Sequence, residues 1–408
     1  MAQTLLVLGA GVYQMAAITT AQAMGVRVVA VDANPATPGL ALAAVSRVVD
    51  VREMAGCLAV AREHRIDGVI AMVAERGVET AAAIVAELGL PGISPDAARC
   101  ATDKFVMRQR LAAAGIPGPA FRQAETLAEA LEAATDIGFP VVMKPVDNAG
   151  SRGVRRIESA AALPAAFELA VEQSLKRRVI VEQFMDGIEA TAEALTIDGK
   201  TTVLAMSDKV HVPFPMCVSI ALNYPAQFPL EAQDEIRRLV QRAAQALGIH
   251  QGPTHTELMV TADGVKVVEV AARGGGFRIF QDVVRLVSGV NLVQETLHGA
   301  LGRPVHATPT QSQAVILRFF HPQRYGTLLA VRGVEEAKAV TGITHLIIEV
   351  EPGQPIVPIT RDGDRPGYLI ATGATRAEAL QRAHQAEQLV RFDVLEGVTH
   401  SSRLAPVT

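Results

Sequence analysis

The sequence predicts a mixed fold, α/β at its start and α+β through its middle. Residues 1–100 alternate apolar strands with helical patterns, residues 117–302 cluster their strands between fewer helices, and residues 303–408 return to a smaller alternating unit. Composition agrees: 49% of residues are hydrophobic, aromatics make up 4% and Trp is absent, which suits a layered α/β enzyme better than a β-sandwich. A chain of 408 residues is too long for one compact domain, so about two or three are expected. A net charge of -4 gives no reason to expect nucleic acid or an anionic membrane as partner. The three cysteines, Cys57, Cys100 and Cys217, are odd in number, far apart and without ligand spacing. They point away from a disulfide framework or zinc site and towards a reducing cytoplasm.

The elements follow in order. LLVLGA, an Ala-rich helix from Met15, VRVVAVD, a helix over Met54 to His64, GVIAM and a helix over Val78 to Leu88 read as a parallel sheet covered on both faces. No basic leader precedes the first strand, and a cytoplasmic location is expected. The unit ends near Pro91-Gly92, and a helix opening at Thr102-Asp103 runs to Ala114 before Gly115-Ile116-Pro117 stops it. Strands VVMKPV, RVIVEQF, ATAEALTI and TTVLAMSD then mix with helices near 126–135, 160–175 and 231–247. After Gly302-Arg303-Pro304 come AVILRFF, a short helix over Val334 to Ala339, THLIIEV, GYLIATG and a long helix from Arg376. Val210 to Leu230 is a long stretch without Asp, Glu, Lys or Arg, but its four prolines exclude a spanning helix.

The chemistry gathers in a few places. In HTELMVTADGVKVVEVAARGGG, a three-residue loop Ala262-Asp263-Gly264 would pair Glu257 with Glu269, β-carbons about 5 Å apart. Like charges facing each other on an apolar hairpin call for a cation, and magnesium is the natural candidate. Arg273 opens onto Gly274-Gly275-Gly276, where bare backbone lies beside a fixed cation. His255 precedes Glu257 by two and shares its face. Lys144 ends an apolar strand and precedes a loop with Gly150, Ser151 and Gly153, whose N–H groups could wrap phosphates. Glu182 and Glu189 flank the Asp186-Gly187 bend, placed to read an adenine amino group and ribose hydroxyls. The opening GAGVYQM with Asp32 is like a dinucleotide fingerprint, but Gln14 replaces its third glycine.

As a connected series, Lys104 in TDKFVMRQRLAAAGIP, Lys144 before its Gly/Ser loop, Glu182, Glu189, Glu257, Glu269 and Arg273 closely resemble the ATP-grasp superfamily. The ending, through DRPGY and ATGAT into an Ala/Glu-rich helix, is similar to the amino-acid ligase and biotin carboxylase-like branch. The resemblance implies an ATP-grasp fold with a Rossmann-like pre-ATP-grasp domain (1–100), a grasp domain (101–302, lid lobe about 117–188 and second lobe about 189–302) and a C-terminal α/β domain (303–408). It implies that Lys104, Lys144, Gly150, Ser151 and Gly153 bind phosphates, that Glu182, Phe184, Met185 and Glu189 bind the nucleoside, and that Glu257 and Glu269 hold one or two Mg2+ ions, or Mn2+ in their place. Arg273 and Lys144 would be catalytic, with His255, Arg273, Gly275 and Gly276 at the substrate. Many members carry Asn where this chain has Ala271, which removes one metal ligand.

The implied activity is an ATP-dependent carboxylate–amine ligase working through an acyl phosphate on amino-acid-like small molecules, in a soluble homodimer. The alternatives are a purine-biosynthesis or biotin-carboxylase-like enzyme, an NAD(P)-dependent oxidoreductase on the N-terminal fold, and a nucleotide-binding module without catalysis. VHVPFPMCVSIALNYPAQF holds no acid and predicts an apolar substrate pocket with His211, Ser219, Asn223 and Tyr224 as polar points.

Overall fold

The computed structural model describes residues 2–213 and 216–396. Four parallel strands open the chain, ordered Val45–Val48, Arg27–Asp32, Thr4–Leu8, Gly68–Ile70. Leu5 to Leu8 are fully buried, as a parallel strand covered on both faces requires. Sequence reading missed the edge strand Val45–Val48, whose four residues alternate between half-buried and exposed.

A helix over Pro95–Thr102, also missed, leads into the expected one at Lys104–Ala113. Its start signal is in the sequence: the Ser94 hydroxyl accepts from Ala97 N–H at 3.2 Å, and Pro95 follows at the first helical position. Asp103 caps the second helix through Phe105 and Val106 N–H, which fixes Lys104 as its first residue.

The lid lobe has its own antiparallel sheet, ordered Phe121–Ala124, Val179–Gln183, Val141–Pro145, Arg155–Ile157, backed by helices Leu127–Ile137 and Leu163–Glu172. A Thr126/Glu129 capping box starts the first of these helices.

The largest sheet has eight strands and is antiparallel throughout: Gly264–Ala271, Gly252–Thr261, Ile188–Ile197, Lys200–His211, Ser219–Tyr224, Ala314–Phe319, Gly367–Gly373, Ile343–Ile348. Three strands after residue 303 therefore extend this sheet, and three more, ordered Pro355–Ile356, Gly326–Arg332, Arg391–Leu395, form a small antiparallel sheet of their own. We propose the three sequence units as folding units, the third docked edge-on to the second. Helix Leu230–Ala246 buries Ile236, Leu239, Val240, Ala243 and Ala244 against this sheet's core, and helix Arg376–Leu389 buries Ala379, Ala383 and Ala386 at its far end.

The Glu257/Glu269 hairpin corrects the expected loop. Thr261 pairs with Gly264, so Ala262-Asp263 make a two-residue turn, and a bulge between the Glu257 and Leu258 pairs leaves Val268 without a partner. The bulge adds back the residue that the shorter turn removed, so Glu257 still faces Glu269.

Candidate active site

One cleft of about 980 Å³ lies where the N-terminal unit, the lid lobe and the long sheet meet. Its charged side chains come from different elements and pair across it. Lys104 Nζ donates to Glu269 Oε1 and to the Asn148 carbonyl, both at 2.8 Å, tying the hairpin to the base of the lid loop. Burial opposes the Lys104 charge, yet Glu269 and Glu75 hold its pKa above the usual value. Lys209 Nζ, on the strand Lys200–His211, bridges Glu189 at 2.5 Å and Glu257 at 2.6 Å, and His211 closes on the other Glu189 oxygen at 2.7 Å. Burial again works against this ammonium, and the two carboxylates raise its pKa regardless.

Lys144 Nζ lies 2.5 Å from Glu182 Oε2, and Arg108 Nε lies 2.5 Å from Glu182 Oε1. Arg108 itself is anchored by the carbonyls of Val267, at 2.6 Å, and Val268. Both oxygens of Glu182, the acid expected on the adenine side, meet a cation here, and the residue ties Lys144 to the cleft wall. Desolvation would raise the pKa of this fully buried acid, but Arg108 and Lys144 outweigh it and hold the value at about 2.

Arg273 pairs through Nε with Glu75, which stands on a short turn of the N-terminal unit, and donates to the Gly274 carbonyl at 3.0 Å. His255 Nδ1 contacts Glu193, and its Nε2 lies 3.7 Å from Glu257. Desolvation disfavours the imidazolium, but Glu193 and Glu257 together raise its pKa to about 9. His255 is thus a cation at neutral pH, between two acids.

In the lid loop, Gly150, Ser151 and Gly153 all have positive φ, at 72°, 56° and 74°. Gly150 and Ser151 border the cleft. Gly153 is buried, and a β-carbon there would come within 3.0 Å of Pro145, so its part is to let the loop turn. Ser151 Oγ donates to the Cys217 carbonyl at 3.3 Å, and Asp362 N–H donates to the Gly150 carbonyl at 3.3 Å. Phe184 and Met185 edge the cleft, but Phe184 N–H already donates to Pro140 at 3.1 Å, so that donor is not open for a base. Gly276 borders the cleft, whereas Gly275 lies behind it, its N–H donating to Glu193 Oε2 at 3.3 Å.

Two further expectations change. Asn223 donates to Asp208 at 3.0 Å and Tyr224 is fully buried, so only His211 and Ser219 of the four polar points reach the cleft. The cleft also carries Arg52, Arg76, Arg152 and Arg361. At the N-terminal fingerprint, Asp32 accepts from Ala10 N–H at 2.8 Å and Asn34 N–H at 2.9 Å. The Gln14 side chain packs over Gly9 and Gly11 and donates to the Met72 carbonyl at 2.6 Å. Those groups brace the turn that follows the first strand.

Sequence reading missed Lys209, Arg108, Glu193 and Glu75. For Lys209 a signal existed: with His211 it lies two residues apart on one strand face, beside the strand that carries Glu189. Arg108 falls one helical turn after Lys104, on the same face of its helix. Among the described residues no three His, Cys, Asp or Glu side chains converge on one metal position.

Comparison with known proteins gives the same picture. Residues 137–281 match the ATP-grasp domain model, and residues 318–395 match L-amino acid ligase C-terminal domain 2. An uncharacterized protein of Sinorhizobium fredii is 35% identical over 301 residues, which cover 72% of this chain and 62% of that protein. The chain thus spans less than two thirds of that relative. A formate-dependent phosphoribosylglycinamide formyltransferase of Burkholderia lata is 29% identical over 409 residues, covering 96% of this chain and 95% of the relative. Among solved structures, the L-amino acid ligase from Bacillus licheniformis superposes with a TM-score of 0.83 at 24% identity, covering 97% of this chain and 99% of that one. Residues 137–281 are thus an ATP-grasp domain, and the chain as a whole shares the fold of the L-amino acid ligase.

Proposed function

We propose that the protein is an ATP-dependent carboxylate–amine ligase, joining small amino-acid-like substrates through an acyl phosphate and releasing ADP and phosphate. The observation that carries this is the gathering of Lys104, Lys144, Lys209 and Arg273 with Glu257 and Glu269 in one cleft. Such a set can neutralise a triphosphate and stabilise the charge that spreads over a phosphoryl group in transfer. The domain match at residues 318–395 supports the amino-acid ligase branch.

The hairpin acids fit a divalent ion: Glu257 and Glu269 are register partners, both open onto the cleft, and both offer hard oxygen ligands. Bound there, magnesium would neutralise phosphate oxygens, with the remaining coordination coming from phosphate and water. Ala271 supplies no ligand, so we assign one well-held ion. Lys104 and Lys144 hold the phosphates, the lid loop excludes water, and Lys209 keeps Glu189 and Glu257 apart in fixed orientation. A substrate carboxylate oxygen attacks the γ-phosphorus as the bond to the β-phosphate oxygen breaks. Amine nitrogen then attacks the acyl carbon, phosphate leaves, and the nitrogen gives up a proton. Arg273, aimed by Glu75, faces the oxygens of the group in transit.

Phosphate release from Mg-ATP across a panel of carboxylates, each with and without amines, tests this. The panel includes formate and bicarbonate, because the Burkholderia relative is named for a formate-dependent reaction. Amine-dependent release with an amino acid, lost in Glu269→Ala, supports the reading. Release that required formate or bicarbonate would move the protein to the alternative, and full activity in Glu269→Ala would overturn the metal assignment.

A further inference from the structure

His255 has no task in the transfer chemistry above, and its contacts lead to a carboxylate that does. Glu193 lies mid-strand in Ile188–Ile197, between Ala192 and Ala194, and is 0% exposed. A carboxylate inside an apolar sheet is tolerated only when its oxygens are partnered. Both are: Oε1 contacts His255 Nδ1, and Oε2 accepts the Gly275 N–H at 3.3 Å. His255 in turn stands 3.7 Å from Glu257 through Nε2. A β-carbon on Gly275 would lie 3.0 Å from Glu193 Oε1 and 3.1 Å from His255 Nδ1, so the loop approaches this pair as closely as it does because position 275 is glycine.

We propose that Glu193 is a positioning residue for phosphoryl transfer. One oxygen orients His255 behind the metal-facing acid Glu257, and the other pins the main chain of the loop that carries Arg273. A single buried carboxylate thus sets the spacing between the metal hairpin and the arginine on the far side of the transferred group. Neither oxygen reaches a reacting atom, and the phosphate lysines Lys104 and Lys144 do not contact it. Its loss should therefore fall on kcat and leave ATP affinity alone. The inference rests on the ligase reading above.

Glu193→Gln, which keeps the shape and removes the charge, is compared with Gly275→Ala, the double variant and Thr254→Val, a buried control on the neighbouring strand. The expected result is a fall in kcat of about tenfold or more with the KM for ATP within about twofold, and a double variant no worse than the poorer single one. Deuterium exchange of residues 273–276 should quicken about tenfold in Glu193→Gln and stay unchanged in Thr254→Val. A kcat within about twofold of wild type, or a loss matched by Thr254→Val, overturns the proposal. If the wild type releases no phosphate with any panel member, the ligase reading falls by itself. Exchange in the Mg-ADP complex then decides: faster exchange at 273–276 with unaltered Mg-ADP affinity upholds the positioning role, and unchanged protection refutes it.

Discussion

Glu182→Gln separates the two roles considered for this residue. In the structure the carboxylate has a cation on each oxygen, at 2.5 Å on either side, and its side chain is 4% exposed. Its pKa falls from 4.5 in the unfolded reference to about 2 in the folded chain, because Arg108 and Lys144 outweigh the desolvation that opposes ionisation. A depressed folded pKa gives stability that is present above the unfolded value and is lost as pH drops towards the folded one. That depression corresponds to roughly 3 kcal/mol near neutrality and falls to roughly 1 kcal/mol at about pH 3. Urea unfolding of wild type and Glu182→Gln at a series of pH values measures the gap. It should be widest at neutral pH, of that order, and should shrink steadily below about pH 4.5. The variant also frees Lys144 from its anchor, so phosphate release should slow while adenosine, which carries no phosphate, binds as before. A gap that does not change with pH, or lost adenosine binding with intact Lys144 function, would refute the reasoning and restore Glu182 to the base-reading role.

Three further outcomes follow from the same contacts. Lys209→Met leaves the half-buried Glu189 and Glu257 without their shared cation, which should cost about 1–3 kcal/mol of stability, read from denaturant midpoints. Ala271→Asn restores the ligand type carried by many members, so the Mg2+ concentration for half-maximal phosphate release should fall; an unchanged or higher value would mean the hairpin already holds its full complement. Arg273→Lys keeps the charge but loses the directed contact to Glu75, and kcat should drop about tenfold or more with little change in the KM for ATP.

Legibility in the sequence followed the range of each contact. The Glu257/Glu269 pair was readable because a turn and two short strands decide it locally, and even the wrong loop length gave the right pair once the bulge compensated. The N-terminal parallel sheet was readable from its apolar runs, except for Val45–Val48, whose alternation is that of an edge strand. By contrast, Glu182 meets Arg108 across 74 positions and Arg273 meets Glu75 across 198, and no local pattern reports such a pairing. Lys209 reads as a solvent-facing lysine on an antiparallel strand until Glu189 is placed on the strand beside it and Glu257 on the next one over. Glu193, between alanines, looks like an exception to a buried strand; only the close approach of the glycine loop gives it a reason. The continuity of the long sheet depends on Tyr224 lying beside Val315, which the proline-rich and polar intervening segments do not foretell.

That continuity determines which part of the molecule is free to move. Separating the C-terminal strands from the grasp strands would break the ladder from Ala221↔Arg318 to Tyr224↔Val315, so hairpin, floor and C-terminal unit should travel as one body. The lid lobe shares no strand with that body, and its swing would rupture no ladder. The chain crosses from one to the other at Gly187, where a β-carbon would sit 2.3 Å from the Val260 carbonyl. The crossing point is thus pressed against the strand that carries Glu257, so each opening and closing would pivot on the backbone that presents this acid. In mechanical terms the hinge and the Glu257/Glu269 hairpin share a bearing, and a side chain at position 187 should disturb both motion and the proposed metal affinity together.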